Sequence, residues 1–337
     1  MIPFVSPSTG IPLQRRESAL ESTDGEVFPI VNGIPRFVPP ESYANAFGLQ
    51  WNLHSKTQLD SRTGTALSRT RFERCLGAPC SVLKGKVVLE AGCGAGRFTE
   101  LLVESGCQLH SIDLSSAVEA NRKNIGEREN YVIAQADIRK LPFPKESFDV
   151  VICLGVIQHT PSPEETMTSL WSAVKPGGSM VIDHYIRPQP SKKKGIQWAK
   201  WTNLAALYVP RLRDYLKRLP PQRSKRICDR LVRFFFPIHW LFRKSTIGSK
   251  IVSRISPCAF YYGLYPDLSK EQQYEWSILD TYDGLTDYYK HLRDPDEIES
   301  FLLGLGAEKV TVGVGGNGVE ARATKPLKCS IPSGPAK

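Results

Sequence analysis

Val87-Val-Leu-Glu-Ala-Gly-Cys-Gly-Ala-Gly-Arg97 is an apolar run that breaks into three glycines directly after an acid. The β-branched start predicts a buried strand, and the glycines let backbone N–H groups approach a ligand with no Cβ in the way. Glu90 stands two residues before the first glycine. A carboxylate there would repel a pyrophosphate, whereas it suits a ligand carrying positive charge. The glycines at 92, 94 and 96 also miss the dinucleotide fingerprint G-x-G-x-x-G, whose third glycine would fall where Arg97 stands.

Downstream of the glycines the chain has the order of a nucleoside-binding sheet. Residues 108–114 (QLHSIDL) read as a second strand carrying Asp113, 21 residues after Gly92, where an acid is placed to hydrogen-bond a ribose diol. Residues 131–138 (YVIAQADI) give a third strand with Asp137 at its end, and Phe148–Leu154 a fourth, apolar enough to be buried on both faces. Lys175-Pro-Gly-Gly178 reads as a turn into a fifth strand, Ser179–Tyr185. Strands alternating with helical stretches of about 10–15 residues predict an α/β fold, doubly wound and mostly parallel, with ligands at the carboxyl ends of the strands.

LEAGCGAGRF, Asp113, ADIRKLPF, FDVVICLGVIQH and LWSAVKPGGSMVI together resemble the class I S-adenosylmethionine-dependent methyltransferases over roughly residues 85–186. The resemblance implies a seven-stranded Rossmann-like sheet with S-adenosylmethionine as cofactor. It implies that Glu90, Gly92 and Gly94 line the methionine portion and that Asp113 takes the ribose hydroxyls, with Cys93 and Leu114 also cofactor-binding. Asp137 and Ile138 would then hold the adenine, with Leu154 near the transferred methyl. The plainer alternative for the three acids is helix capping or loop hydrogen bonding.

Outward from the sheet, residues 1–42 carry the turn pairs Asp24-Gly25 and Asn32-Gly33 and predict a small β module. The stretch resembles zinc-ribbon-like modules, with Ser6 and Thr9 where C-P-x-C would put ligands, so no metal is expected. Residues 43–84 predict helices leading into the sheet and covering the cofactor, where Gln50, Trp51, Gln58 and Asp60 are site candidates or, for Trp51, core. FGLQWN, TQLDS and DTYDGLTDYY resemble a bacterial subgroup of these methyltransferases associated with cell-surface sugar and secondary-product pathways. The methyltransferase domain is then 85–186 plus 294–326, with a closing hairpin at Lys309–Lys325, and 187–293 forms a helical lid.

That lid concentrates the charge. The chain carries a net +10, yet Arg187–Cys258 holds 18 Lys/Arg against only Asp214 and Asp229, leaving the remainder acidic. Such an excess predicts a polyanionic partner: membrane headgroups, a phosphate-bearing substrate, or nucleic acid. Gly195–Val209 places Trp198, Trp201, Ala205 and Tyr208 on one helical face. Pro221–Phe236 places Ile227, Leu231 and Phe234/Phe235 beside Arg226, Arg230 and Arg233, with Pro237 expected to end the helix. Such faces fit either an anionic membrane surface or a lid packed on the sheet. Eight cysteines show no CxxC pattern, MIPFVSPSTG has no signal-peptide pattern, and no apolar run reaches membrane-spanning length. These features predict a cytosolic protein, peripheral at the inner membrane face where the basic faces meet lipid.

Methyl transfer to a hydroxyl needs alignment and usually a base. Gly155-Val-Ile-Gln-His159 follows the fourth strand, where enzymes that methylate amino groups of DNA or glutamine show D/N-P-P-Y/F/W. His159 is therefore the first candidate base, or else a loop histidine bonded to backbone; His184 and Tyr185 come second. Asp280, Tyr282, Asp283 and Tyr289 are candidate substrate contacts. The expected reaction is O-methylation of a sugar, glycan or lipid-linked precursor. The alternatives are an RNA methyltransferase or a quinone or secondary-metabolite C/O-methyltransferase.

Overall fold

A computed structural model describes residues 1–39, 42–188 and 204–327. The chain opens with a four-stranded antiparallel sheet of β1 (Gln14–Arg15), β2 (Ala19–Glu21), β3 (Val27–Val31) and β4 (Ile34–Pro35). Asn32 and Gly33, at φ 53° and 75°, make the reversal between β3 and β4. Ser8 and Thr9 hydroxyls donate to Glu26, and Ser6 Oγ accepts the Thr9 N–H at 3.1 Å, so the positions matching ribbon ligands are hydrogen-bonded among themselves.

Three helices lead inward: α1 (Asn45–Leu53), α2 (Asp60–Thr63) and α3 (Leu67–Leu76). The central run alternates β5 (Val87–Ala91), α4 (Thr99–Glu104), β6 (Gln108–Asp113), α5 (Ala117–Ile125), β7 (Tyr131–Gln135), β8 (Phe148–Cys153), α6 (Pro163–Ala173) and β9 (Val174–His184). Helices α7 (Leu204–Lys217), α8 (Pro221–Phe242), α9 (Thr246–Ile255) and α10 (Lys270–Thr286) come next. The last elements among the described residues are α11 (Pro295–Gly304) and the hairpin β10 (Lys309–Gly315) and β11 (Gly318–Thr324). The seven-stranded sheet runs β10-β11-β9-β8-β5-β6-β7, with β5 to β9 parallel and β11 antiparallel to both neighbours. Its parallel strands are buried on both faces. Leu89, Ile112, Val151 and Ile182 enter one core, and Val88, Leu109, Val150 and Val181 the other. Because β5 pairs with β6 on one side and β8 on the other, the chain order reverses there, and a crevice opens at their carboxyl ends.

The N-terminal module seats on the far edge of this sheet. Phe37 N–H donates to Gln135 O at 2.8 Å and Val5 N–H to Pro142 O at 3.1 Å, while Arg36 pairs with Glu119. Phe4 stacks between Phe37 and Phe143, each centroid 5.3 Å away.

Two expectations need correcting. The fifth parallel strand starts at Val174, which pairs with Phe148; Lys175-Pro-Gly-Gly178 bulges before Ser179 pairs with Val150. A Cβ on Gly178 would lie 2.8 Å from Asp149 O, so only glycine fits the bulge. Pro237 does not end its helix, since α8 continues to Phe242. Pro237 and Arg233, whose carbonyl loses its intrahelical donor, are both exposed, so water can take that bond. In α8, Cys228, Val232, Phe236 and His239 are buried; of the predicted stripe, Ile227 and Leu231 are half-buried against the cluster around Cys228, while Phe234 is exposed. The aromatic face expected over Gly195–Val209 falls largely on 189–203, outside the described residues.

Candidate active site

A cavity of 820 Å³ occupies the crevice, walled by the glycine loop, the lead-in helices and the 187–293 insertion. Gly92 has φ 83°, and a Cβ there would run into Val156, 2.8 Å from Cγ1. Gly94 lies under the Trp51 indole, 3.5 Å from where its Cβ would be. At the tip of β6, Asp113 accepts the Gly94 N–H at 2.9 Å and the Ser115 N–H at 2.8 Å. Burial raises its pKa despite these bonds. Cys93, Leu114, Ile138 and Leu154 complete this wall with Asp137, whose carboxylate pairs with Arg139 at 2.7 Å.

Glu90 is not in the wall. Its side chain turns behind the loop and accepts hydrogen bonds from Thr99 Oγ1 at 2.8 Å and Ser111 Oγ at 2.7 Å. Burial there pushes its pKa up to about 7, against the lowering by the two hydroxyls. Strand alternation sends this carboxylate into the interior behind the loop rather than into the cavity. Asp60 is displaced from the site likewise: its oxygens accept the Ser68 and Arg69 N–H groups and cap α3.

Across the cavity stand His159 and Tyr185 with Asp280, Asp283 and Lys290. His159 Nδ1 lies 3.1 Å from Tyr289 O and 3.4 Å from Asp287 Oδ2. A carbonyl only accepts, so Nδ1 carries a hydrogen, and in the neutral ring Nε2 keeps its lone pair. Burial alone would lower the His159 pKa. The neighbouring Asp287 and Asp283 carboxylates and the Tyr289 carbonyl outweigh it and hold the pKa above the ordinary value. Burial would also raise Asp287, but pairing with His159, Lys290 and Arg213 keeps it ionised below the usual range. Asp280 accepts from Trp276 Nε1 at 3.0 Å and is pushed up to about 6 by burial and by Asp283. Asp283 Oδ1 is buried with no hydrogen-bond partner, and burial raises its pKa too.

Three other expected contacts fall elsewhere. His184 is buried off the cavity, its Nδ1 against Tyr185 O at 3.0 Å, because adjacent strand residues face opposite ways. Tyr282 is wholly buried and donates to Pro221 O at 3.2 Å, since α10 turns it away from Asp280 and Asp283. Tyr289 contributes its carbonyl, while its ring packs edge-on against Tyr43. Sequence reasoning missed Asp287, although 280, 283 and 287 share one helical face. It also missed Arg71, paired to Asp183 at 2.5 Å, and Arg97, which bonds Gln58 Oε1 at 3.0 Å and lies 5.6 Å from the Trp276 ring.

The residues fit a nucleoside with a methionine-like arm. The glycines leave a cradle that a Cβ would fill, and a carboxylate waits at the neighbouring strand tip. Residues 89–182 match the family model described as a methyltransferase domain. The chain is 30% identical over 150 residues to a ubiquinone biosynthesis O-methyltransferase of Azoarcus sp. (strain BH72), covering 43% of this chain and 63% of that one. It is 33% identical over 104 residues to the same-named protein of Pseudomonas fluorescens (strain Pf0-1), covering 29% and 44%. The chain thus spans less than two thirds of the curated relatives it matches. Among solved structures, an S-adenosylmethionine-dependent methyltransferase from Mesorhizobium loti is 26% identical, with TM-score 0.29, over 32% of this chain and 51% of that one. An O-methyltransferase family protein from Burkholderia thailandensis is 10% identical, with TM-score 0.42, over 78% and 57%. Residues 89–182 of this chain thus carry a methyltransferase domain, set in the seven-stranded sheet described above.

Proposed function

We propose that this chain methylates a hydroxyl of a small amphiphilic acceptor, with His159 as general base. The supporting observation is the Asp287–His159 pair: Nδ1 is engaged by Tyr289 O and Asp287, which leaves Nε2 for the cavity. When bound, S-adenosylmethionine supplies an activated methyl on a cationic sulfur. Asp113 would hold its ribose, Asp137 and Ile138 its adenine, and Trp51 would cover the glycine loop. Nε2 accepts the acceptor's proton, and the buried Asp287 carboxylate stabilises the imidazolium that forms. Tyr185, its phenol pushed up by burial and nearby carboxylates, stays protonated and would donate to the acceptor. Residues 85–186 with 294–326 act as the catalytic unit, 1–42 as a packing module, 43–84 as the cofactor cover and 187–293 as the substrate cover.

The acceptor in this reading is a sugar, glycan or lipid-linked precursor in the cytosol, its hydroxyls received by Asp280 and Asp283. A second reading, a phenolic quinone precursor, draws support from the names of the matched relatives. The test is transfer of labelled methyl to matched hydroxyl and amine acceptors by the native chain and by H159A. Hydroxyl transfer lost in the variant is expected; amine transfer indifferent to the variant would overturn the proposal.

A further inference from the structure

Helix α9 packs only one residue deeply. Val252 is buried, whereas Ile247, Ile251 and Ile255 are exposed by 74%, 51% and 43%. At 3.6 residues per turn these isoleucines share an arc of about 80°, and Lys250 and Arg254 occupy the adjoining arc of about 60°. Leu241 near the end of α8 is exposed by 73%, and the next residue, Phe242, lies against Gly248 at the start of α9. Leu207 adds a further exposed side chain on α7, whose Tyr208 hydroxyl donates to Ile255 O. A ridge of branched side chains held in water is unfavourable unless something covers it.

The charge around the ridge selects the cover. Between Asp229 and Asp267 the chain has six Lys/Arg and no acid. Exposed Lys250 and Arg254 adjoin the isoleucines on α9, and exposed Lys244 lies in the turn that leads into it. Apolar side chains in a row with cations beside them match the boundary between acyl chains and anionic headgroups. The chain leaving α9, Ser256–Ala259, then lines the cavity.

We infer that Leu241–Ile255 is a docking surface for an anionic lipid bilayer, with the isoleucines of α9 entering the acyl boundary and Lys244, Lys250 and Arg254 meeting headgroups. The inference goes beyond the methyl-transfer proposal and does not require it, because docking involves neither cofactor nor acceptor. It gives an acceptor with an apolar tail a route from the bilayer to the cavity along the Ser256–Ala259 segment.

The experiment is co-sedimentation of the full chain with vesicles of phosphatidylcholine alone or with about one third phosphatidylglycerol. Binding should require the anionic lipid and weaken as salt rises. I247D/I251D should abolish it, and K250A/R254A should weaken it about thirtyfold, with thermal midpoints unchanged because all four side chains are exposed. Hydrogen exchange on the native chain, which needs no variant, should slow over 241–255 when anionic vesicles are added. Absence of native binding, or protection confined elsewhere, would overturn the inference. So would a solution dimer that I247D/I251D dissociates, or RNA capture by Lys250 and Arg254 without vesicle binding.

Discussion

Replacing Gly92 by alanine perturbs the loop at its tightest point. The residue has φ 83°, and its Cβ would press on both methyls of Val156. The left-handed backbone costs a non-glycine residue about 1–2 kcal/mol, and forcing a methyl into packed surroundings costs about 1–3 kcal/mol. The total is about 2–5 kcal/mol. For a chain of this length unfolding as one unit, that lowers the thermal midpoint by roughly 3–7 °C. V156A removes both clashing methyls but leaves the backbone strain. The double variant should therefore regain the packing share, a coupling of about 1–3 kcal/mol, and no more. Thermal unfolding gives the stability cycle, and calorimetry with S-adenosylhomocysteine gives the matching affinity cycle. If G92A melts like the native protein, or if V156A adds its own loss with no recovery, Gly92 and Val156 are not in contact and the loop geometry is wrong.

H159A should lower turnover about a hundredfold or more while leaving cofactor affinity intact; unchanged turnover would place the base elsewhere. D287N removes the charge that raises the His159 pKa, so the acidic limb of the pH–rate profile should move to lower pH as kcat falls. A limb that stays in place would assign that titration to another group. Glu90, pushed up to about 7 from 4.5, favours folding fully below pH 4.5 and loses that contribution as pH rises through 7. The loss is about 3 kcal/mol. E90Q should flatten the decline of stability across this window, as urea titrations at a series of pH values would show.

The parallel strands and the glycine turn were legible because a strand buried on both faces must be apolar along its length. Its break into glycines marks where backbone, not side chain, faces the crevice. Local chemistry misled where tertiary setting decides. Lys175-Pro-Gly-Gly178 has the composition of a turn but lies inside β9 as a bulge, and Pro237 passes through α8 because its side of the helix meets water. Some misses were avoidable. Helical spacing already groups 280, 283 and 287 against 282, and strand alternation allows only one of His184 and Tyr185 to face the cavity. Glu90 was beyond reach, since Thr99 and Ser111, which hold it, come from elements that only the folded sheet brings together.

The seating of Phe37 on Gln135 has a consequence for handling the protein. Tyr131–Gln135 is the outermost parallel strand on that side, and its last carbonyl is taken by the amino-terminal segment. Stripping residues 1–39 would bare this margin along with the Phe143 ring that Phe4 covers, inviting strand-to-strand clumping between molecules. A shortened chain should thus fail first by precipitating, while its glycine loop is still intact.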